Sequence, residues 1–201
     1  MIRAIVLAAG ASSRMGQAKA ALPLGQTGET VVARVVRTLL SGGLPDVTVV
    51  AGAHIDAVRR AMPSHEPRAR VVEHAGWEEG QLSSLIAGLD ALDGPLLEAV
   101  LVTLVDVPLV RPETVAAVVA EWRRTRAPIV RPAEGSRHGH PVVFDRSVFE
   151  DLRAADRNTG AKAVIARHRD RVVNVEVSDP GAFIDLDTPG QYENLRSQMV
   201  D

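Results

Sequence analysis

The sequence predicts an α/β fold with a mostly parallel sheet covered by helices on both faces. Three observations carry the prediction: short β-branched runs of strand length, stretches of helical periodicity between them, and capping or turn residues at their junctions. "IRAIVLA" opens the chain as a first strand, and "VTVVAG", "ARVVEH" and "AVLVTLVD" read as further strands. In "TVVARVVRTLLSGG", Val31, Val32, Val35, Val36, Leu39 and Leu40 fall on one helical face, with Thr30 as N-cap and Gly42 as stop. "SSLIAGLDAL" predicts a helix capped by Ser83 or Ser84, and "RPETVAAVVAEWRR" one with Pro112 in its first turn. The rhythm breaks after about Arg131, where "RPAEGSRHGHPVVF" reads as a loop or hairpin insertion over about 132–150. "NTGAKAVIARH" resumes a capped helix, "VVNVEV" a strand, and a last helix begins near Pro189. No repeat, low-complexity tract or linker demands two domains, so residues 1–201 are expected to form one.

A chain of 201 residues can bury roughly 70% of its extended-state surface, enough for a full core. No apolar run is long enough to span a bilayer. "MIRAIVLAAG" leads into Arg14 and Lys19 rather than a cleavage site, so a cytoplasmic location is expected. The absence of cysteine excludes disulfides, thiolate metal sites and a cysteine nucleophile. A net charge of −2 offers no general attraction to nucleic acid or to an anionic membrane, and neither is an expected partner. An anionic ligand has to be caught locally.

The stretch "LAAGASSRMGQAKAALPLG", Leu7 to Gly25, is built for that capture. Ala8, Ala9, Gly10 and Ala11 have almost no side chain, so successive backbone N–H groups can approach a phosphate. Ser12 and Ser13 add hydroxyls. Arg14 and Lys19 add two cations in the loop after the first strand, where open α/β sheets bind ligands. Neither G-x-G-x-x-G nor G-x-x-x-x-G-K-[ST] is present, which removes support for a dinucleotide turn or a P-loop. A nucleoside triphosphate suits the arrangement; a tight turn with solvated Arg14 and Lys19 is the plain alternative for such a loop taken alone. Asp106 ends the strand "AVLVTLV", where a carboxylate suits a Mg²⁺ bridging nucleotide phosphates, the alternative being a turn-capping role. Asp185 and Asp187, two apart on an extended segment, share one side, so either can complete a metal site. His138 and His140 read as loop or acceptor contacts rather than a zinc pair. Trp77 and Trp122 are expected in the core, and "EWRRTR" as a solvated helix end.

The whole stretch resembles the signature L-A-[AG]-G-x-S-x-R-M-G-x-x-K-x-x-L of nucleotidyltransferases similar to the molybdenum cofactor cytidylyl- and guanylyltransferases. "GWEEGQLSSLIAG", "LVDVPLV", "GHPVVF" and "IDLDTPGQYENL" resemble that family's later motifs, in order, from Leu7 to about Leu195. The resemblance implies a Rossmann-like three-layer α/β/α fold of the nucleotide-diphospho-sugar transferase type. It implies a Mg²⁺-dependent transfer of CMP from CTP to molybdopterin with release of pyrophosphate. Leu7, Ala8, Ala9, Gly10, Ala11, Ser12, Arg14, Lys19 and Ser84 would then bind nucleotide. Arg14, Lys19 and Asp106 would carry catalysis, and Asp106 with Asp187, or Asp185 in its place, would hold the metal. Gly80, Ser83, Gly139, His140 and Pro141 would face the acceptor, with simple capping the alternative for the two serines.

"LAAG" rather than "LAGG" goes with cytidylyl transfer in that family, so Ala9 favours CTP; guanylyl transfer, or another small phosphorylated acceptor, is the alternative within the class. Three departures bear on the acceptor: Val105 replaces a glycine before the metal aspartate, Gly190-Gln191 stands where an acidic residue is common, and "GQTGETVV" is a longer loop. A nucleotide-binding regulator and a cofactor-delivery chaperone are the readings from other classes. The latter predicts a transient complex with a molybdoenzyme or its chaperone.

Overall fold

The computed structural model describes residues 1–25 and 28–198; Gln26 and Thr27, inside the longer loop noted above, and residues 199–201 lie outside the described residues. Strand β1 (Ile2–Ala8) runs into the small-residue loop, then a ribbon of β2 (Pro23–Leu24) and β3 (Glu29–Thr30). Helix α1 (Val31–Ser41), β4 (Val47–Ala51), α2 (Ile55–Ala61) and β5 (Ala69–Glu73) follow. After them come α3 (Gln81–Leu92), β6 (Ala99–Leu104), α4 (Pro112–Thr125), β7 (Ile129–Glu134), β8 (Arg137–His138) and β9 (Val142–Asp145). The chain continues through α5 (Phe149–Ala154), α6 (Ala161–Arg167), β10 (Val172–Glu176) and α7 (Pro189–Gln198).

The main sheet has the order β10-β7-β9-β6-β1-β4-β5, with β8 paired to β7. β1 lies parallel to both β4 and β6, while β9 runs antiparallel to β6 and to β7. This is the Rossmann-like architecture the sequence predicts. The chain leaves β1 toward β4 and β5 and returns to β6 on the other side, so the strand order switches beside β1. At such a switch the connections diverge and leave an open crevice at the carboxyl ends of the strands. The loop after β1 and the aspartate after β6 both lie there.

Period-two alternation along β1 feeds two core layers. Ile2, Ala4, Val6 and Ala8 pack with apolar residues of α1 and α4, whereas Ile5 and Leu7 pack with Leu82, Leu85 and Leu89 of α3. α1 begins as predicted: the Thr30 hydroxyl accepts the Ala33 N–H at 3.2 Å, and Gly42 closes the helix. Trp122 of α4 is 1% exposed, and its indole N–H donates to Asp145 Oδ2 of β9 at 3.0 Å, which removes the cost of burying that donor. Among the described residues no helix is long and apolar enough to cross a membrane.

The segment at about 132–150 carries a hairpin, β8 pairing back antiparallel on β7, and then β9, which lies between β6 and β7 in the sheet. Two expectations are corrected. Helix α3 is capped by neither serine; its N-cap is Gly80, at φ +99°, a backbone conformation that favours glycine. The N-cap of α6 is likewise a glycine, Gly160, with no side-chain cap. Helices α2 and α5, of seven and six residues, are too short for their periodicity to stand out in the sequence.

Candidate active site

Buried Asp179 brings the far end of the chain to the crevice. Its carboxylate accepts from Thr114 Oγ1 at 2.6 Å, from the Arg111 N–H at 2.9 Å and from the Gly181 N–H at 3.1 Å, tying the tail to the start of α4. A few residues on, the Leu186 N–H donates to the Asp106 carbonyl at 2.7 Å. This one hydrogen bond sets Asp187 beside Asp106 across a wide gap in sequence. Gln191 then holds the turn, its Oε1 accepting the N–H groups of Asp187 and Thr188, each at 2.9 Å. The glutamine standing where an acidic residue is common thus supplies the oxygen the turn needs without adding a charge.

The loop after β1 is braced from within. Ser12 has φ +50°, its carbonyl accepts the Met15 N–H at 2.8 Å, and its hydroxyl accepts the Lys19 N–H at 3.2 Å. His54 Nε2 lies 2.9 Å from the Ala11 carbonyl. The loop presents Lys19, only 8% exposed, to both carboxylates: its Nζ is 3.1 Å from Asp106 Oδ2 and 3.0 Å from Asp187 Oδ1. Arg14, largely exposed, reaches Asp187 Oδ2 at 3.2 Å. A buried ammonium held between two acids has its charge compensated in place, which is why it can remain there.

The local charges read consistently. The hydrogen bond from Lys19 holds the Asp187 carboxyl below its ordinary value of 3.8. Burial, and then the negative charge of Asp106, push Asp185 upward, and burial pushes the His140 imidazole downward. For Asp187 the sign is that of a depressed acid: its contribution to stability is complete above the unfolded value and is lost as pH falls through the folded one. Thermal melts of the metal-free protein are therefore expected to place wild type above Asp187→Asn at pH above the ordinary carboxylate value of 3.8, with the gap closing as pH falls below it. A gap unchanged over that range would show that the pair contributes nothing.

A cavity of about 370 Å³ opens over these groups. It is lined by Leu7, Ala8, Ala9, Gly10, Ser12, Arg14, Lys19, Ser84, Asp106 and Asp187, and Gly80 lines it too. A second cavity, of about 790 Å³, contains Gly139 and His140 and shares Leu7, Gln81 and Leu104 with the first. Ala11 lines neither and offers its carbonyl to His54 instead. Ser83 also lines neither: its hydroxyl donates to the Gly80 carbonyl at 2.7 Å and lies 2.9 Å from His74 Nε2, so it braces the turn before α3. Pro141 faces a small apolar gap near Thr103 and Val107. Asp185 lies outside the lining of both cavities, whereas Asp187 is inside the first. Trp122 is in the core as expected, but Trp77 is half-buried and lines the first cavity with His54, Glu78 and Gln81. The signal for Trp77 was Gly52, since a Cβ there would lie 2.5 Å from the Cβ of Trp77.

Gly139 is fixed by contact rather than by chemistry. A Cβ added there would collide with the Ala182 carbonyl oxygen and lie 2.8 Å from the Phe183 ring, and the next N–H, that of His140, donates to the same carbonyl at 2.9 Å. Gly139→Ala is expected to destabilise the protein by about 1–3 kcal/mol through overpacking, as read in urea unfolding. An unchanged midpoint would mean that the two loops separate freely.

The two carboxylates suit a hard divalent cation. Asp106 Oδ1 is buried with no hydrogen-bond partner, an arrangement that costs free energy unless something meets it. Among the described residues no group of three His, Asp or Glu side chains converges on a metal position. Two protein carboxylates with the remaining positions left to phosphates and water is the coordination Mg²⁺ commonly takes at nucleotide sites.

Such a crevice, open at the strand ends of an α/β sheet that has no P-loop, offers backbone N–H groups, two cations and two carboxylates where ligands of such sheets bind. The profile of the MobA-like NTP transferase domain matches residues 4–172; the chain belongs to that family and is a nucleotidyltransferase. It is 32% identical over 202 residues to the nicotine blue oxidoreductase of Paenarthrobacter nicotinovorans, the alignment covering 96% of each chain. It is 29% identical over 213 residues to the molybdenum cofactor guanylyltransferase of Sinorhizobium fredii, covering 98% of this chain and 91% of that one. Rv0371c from Mycobacterium tuberculosis superposes with a TM-score of 0.81 at 28% identity, covering 98% and 97% of the two chains. The manganese complex of Rv0371c superposes at 0.76 with 26% identity, covering 98% of each.

Proposed function

We propose that the protein transfers CMP from CTP to molybdopterin, with Mg²⁺ as its metal. The observation that carries the reading is Lys19 held between Asp106 and Asp187 at the end of the Ala8–Ser12 loop. An oxygen of the acceptor phosphate attacks the α-phosphorus of CTP; the bond from that phosphorus to the bridging oxygen breaks, and pyrophosphate leaves with the electron pair. The attacking group is already anionic, so the protein need supply no serine or cysteine nucleophile and no base. Its task is to position the reactants and neutralise charge.

The Ala8–Ser12 backbone cradles the phosphates, and Arg14 and Lys19 stabilise the triphosphate and the departing pyrophosphate. Asp106 and Asp187 would hold Mg²⁺, which when bound supplies positive charge to the phosphates. Lys19 therefore exchanges partners as ligands arrive, giving up the carboxylates and taking phosphate oxygens. The neighbour that is a manganese complex supports a divalent ion here. The relative named as a molybdenum cofactor guanylyltransferase supports the acceptor and makes GTP the competing nucleotide, whereas Ala9 favours CTP.

Pyrophosphate release with Mg²⁺ and molybdopterin, compared for CTP, GTP, ATP and UTP, tests the reading. Release with CTP is expected. Release with GTP instead would keep the class and discard the inference from Ala9. Silence with all four, alongside nucleotide binding, would remove molybdopterin as acceptor.

A further inference from the structure

The larger cavity is positively charged in a way that nucleotide binding does not use. Arg131, Arg157, Lys162 and Arg169 line it, and no aspartate or glutamate does. Arg157 is engaged by Glu79, and Arg169 lies 3.4 Å from its neighbour Asp170. Arg131 and Lys162 differ. The Nε of Arg131 donates to the neutral Oδ1 of Asn174 at 3.0 Å, on the paired strand β10, and among the described residues neither cation has a carboxylate partner. Arg131 is half-buried, and that burial pushes its guanidinium below its ordinary value. Leu82, Leu85, Phe144 and Ile165 form an apolar lining alongside. A partly desolvated guanidinium, held in position and without a counter-ion, is stabilised by any ligand group that brings negative charge.

The position of this charge in the sheet matters as much as its presence. β7, which carries Arg131, is two strands from β6, whose end leads to Asp106. Two strand spacings are roughly 10 Å. An oxyanion at Arg131 is therefore a different group from the one that attacks the nucleotide beside Asp106. Neither Arg131 nor Lys162 lines the first cavity, so ligand groups can occupy both regions at once.

We propose that Arg131 and Lys162 form a subsite for an oxyanionic group that the acceptor carries in addition to its attacking phosphate, with the acceptor's apolar body over Leu82, Leu85 and Phe144. The proposal rests on the acceptor occupying this cavity. It requires of the acceptor a negative charge remote from the attacking phosphate; an acceptor whose phosphate is its sole anionic group would bind without help from Arg131 and Lys162.

Flavin fluorescence tests it, with riboflavin 5′-phosphate and riboflavin as a matched pair of flat probes that differ in one phosphate, both titrated in the presence of saturating CTP and Mg²⁺. The phosphorylated probe is expected to bind at least ~10-fold tighter, the ratio given by one charge-assisted hydrogen bond. In the Arg131→Gln, Lys162→Gln double variant that preference is expected to fall to about twofold or less, and Arg131→Lys, which keeps the charge, is expected to retain most of it. CTP affinity, measured separately, stays at the wild-type value, so loss of the phosphate preference is distinguishable from loss of nucleotide binding. A preference that survives in the double variant, equal binding of the two flavins, no binding of either, or displacement of riboflavin 5′-phosphate by CTP would each overturn the subsite.

Discussion

Lys19→Ala is expected to lower turnover by at least ~10²-fold, the loss that follows removal of one preorganised charge-stabilising donor. Two consequences combine in this variant. On the proposed reaction, the leaving pyrophosphate would lose a cation that is already desolvated and lines the first cavity. Asp106 and Asp187, bridged by that ammonium at 3.1 and 3.0 Å, also lose their shared counter-ion, so in the metal-free crevice Asp187 keeps only Arg14, at 3.2 Å, and Asp106 keeps no cation within ion-pair distance among the described residues. The second effect strengthens the pull on a divalent ion even as the first slows the chemistry. Steady-state pyrophosphate release checks the rate, and Mn²⁺ titration without nucleotide checks the site. Turnover near the wild-type value would take Lys19 out of the mechanism.

Asp106→Asn is expected to cost about 10³-fold in turnover, at the upper end for loss of a single electrostatic contact. The substitution is nearly isosteric, and the backbone carbonyl of this residue, which accepts the Leu186 N–H at 2.7 Å, is untouched. Asp187 therefore stays in place while one of the two carboxylates is gone. The paramagnetic signal of Mn²⁺ in the presence of CTP gives a readout independent of turnover: weaker ion binding is expected, together with a lower melting temperature of the metal-free protein, because buried Lys19 loses one of its two carboxylate partners. Wild-type ion binding in Asp106→Asn would move the metal to another group.

The fold was legible wherever periodicity and capping agree. β1, β4, β5 and β6 have β-branched runs, α1 has a six-residue apolar face with Thr30 and Gly42 at its ends, and α4 begins at Pro112. What was not legible depends on partners distant in sequence. The four residues of β9 look like part of a loop until β6 and β7 claim both edges. Ser83 looks like a cap until the positive φ of Gly80 takes that place and the hydroxyl turns back to the Gly80 carbonyl.

The candidate site divides in the same way. Lys19, Asp106 and Asp187 could be picked out because each lies in a strand-end loop or turn where a charge can meet a ligand, and because the motifs around them resemble those of the family. Their contact could not, since it depends on the Leu186 N–H reaching the Asp106 carbonyl and on Asp179 tying the tail to Thr114 of α4, 65 residues away. Trp77 was misplaced because a tryptophan is ordinarily core material; only the room left by Gly52 shows where it sits. Arg131 and Lys162 carry no motif and become visible only when the cavity they share is found to contain no acid.

The central claim, direct transfer of a nucleotidyl group with no covalent enzyme intermediate, is tested most directly with CTP labelled at the α-phosphate. The account predicts label in the acceptor, one pyrophosphate released per label transferred, and none on the denatured protein. Label retained by the protein chain, or pyrophosphate released with no label reaching the acceptor, would contradict it.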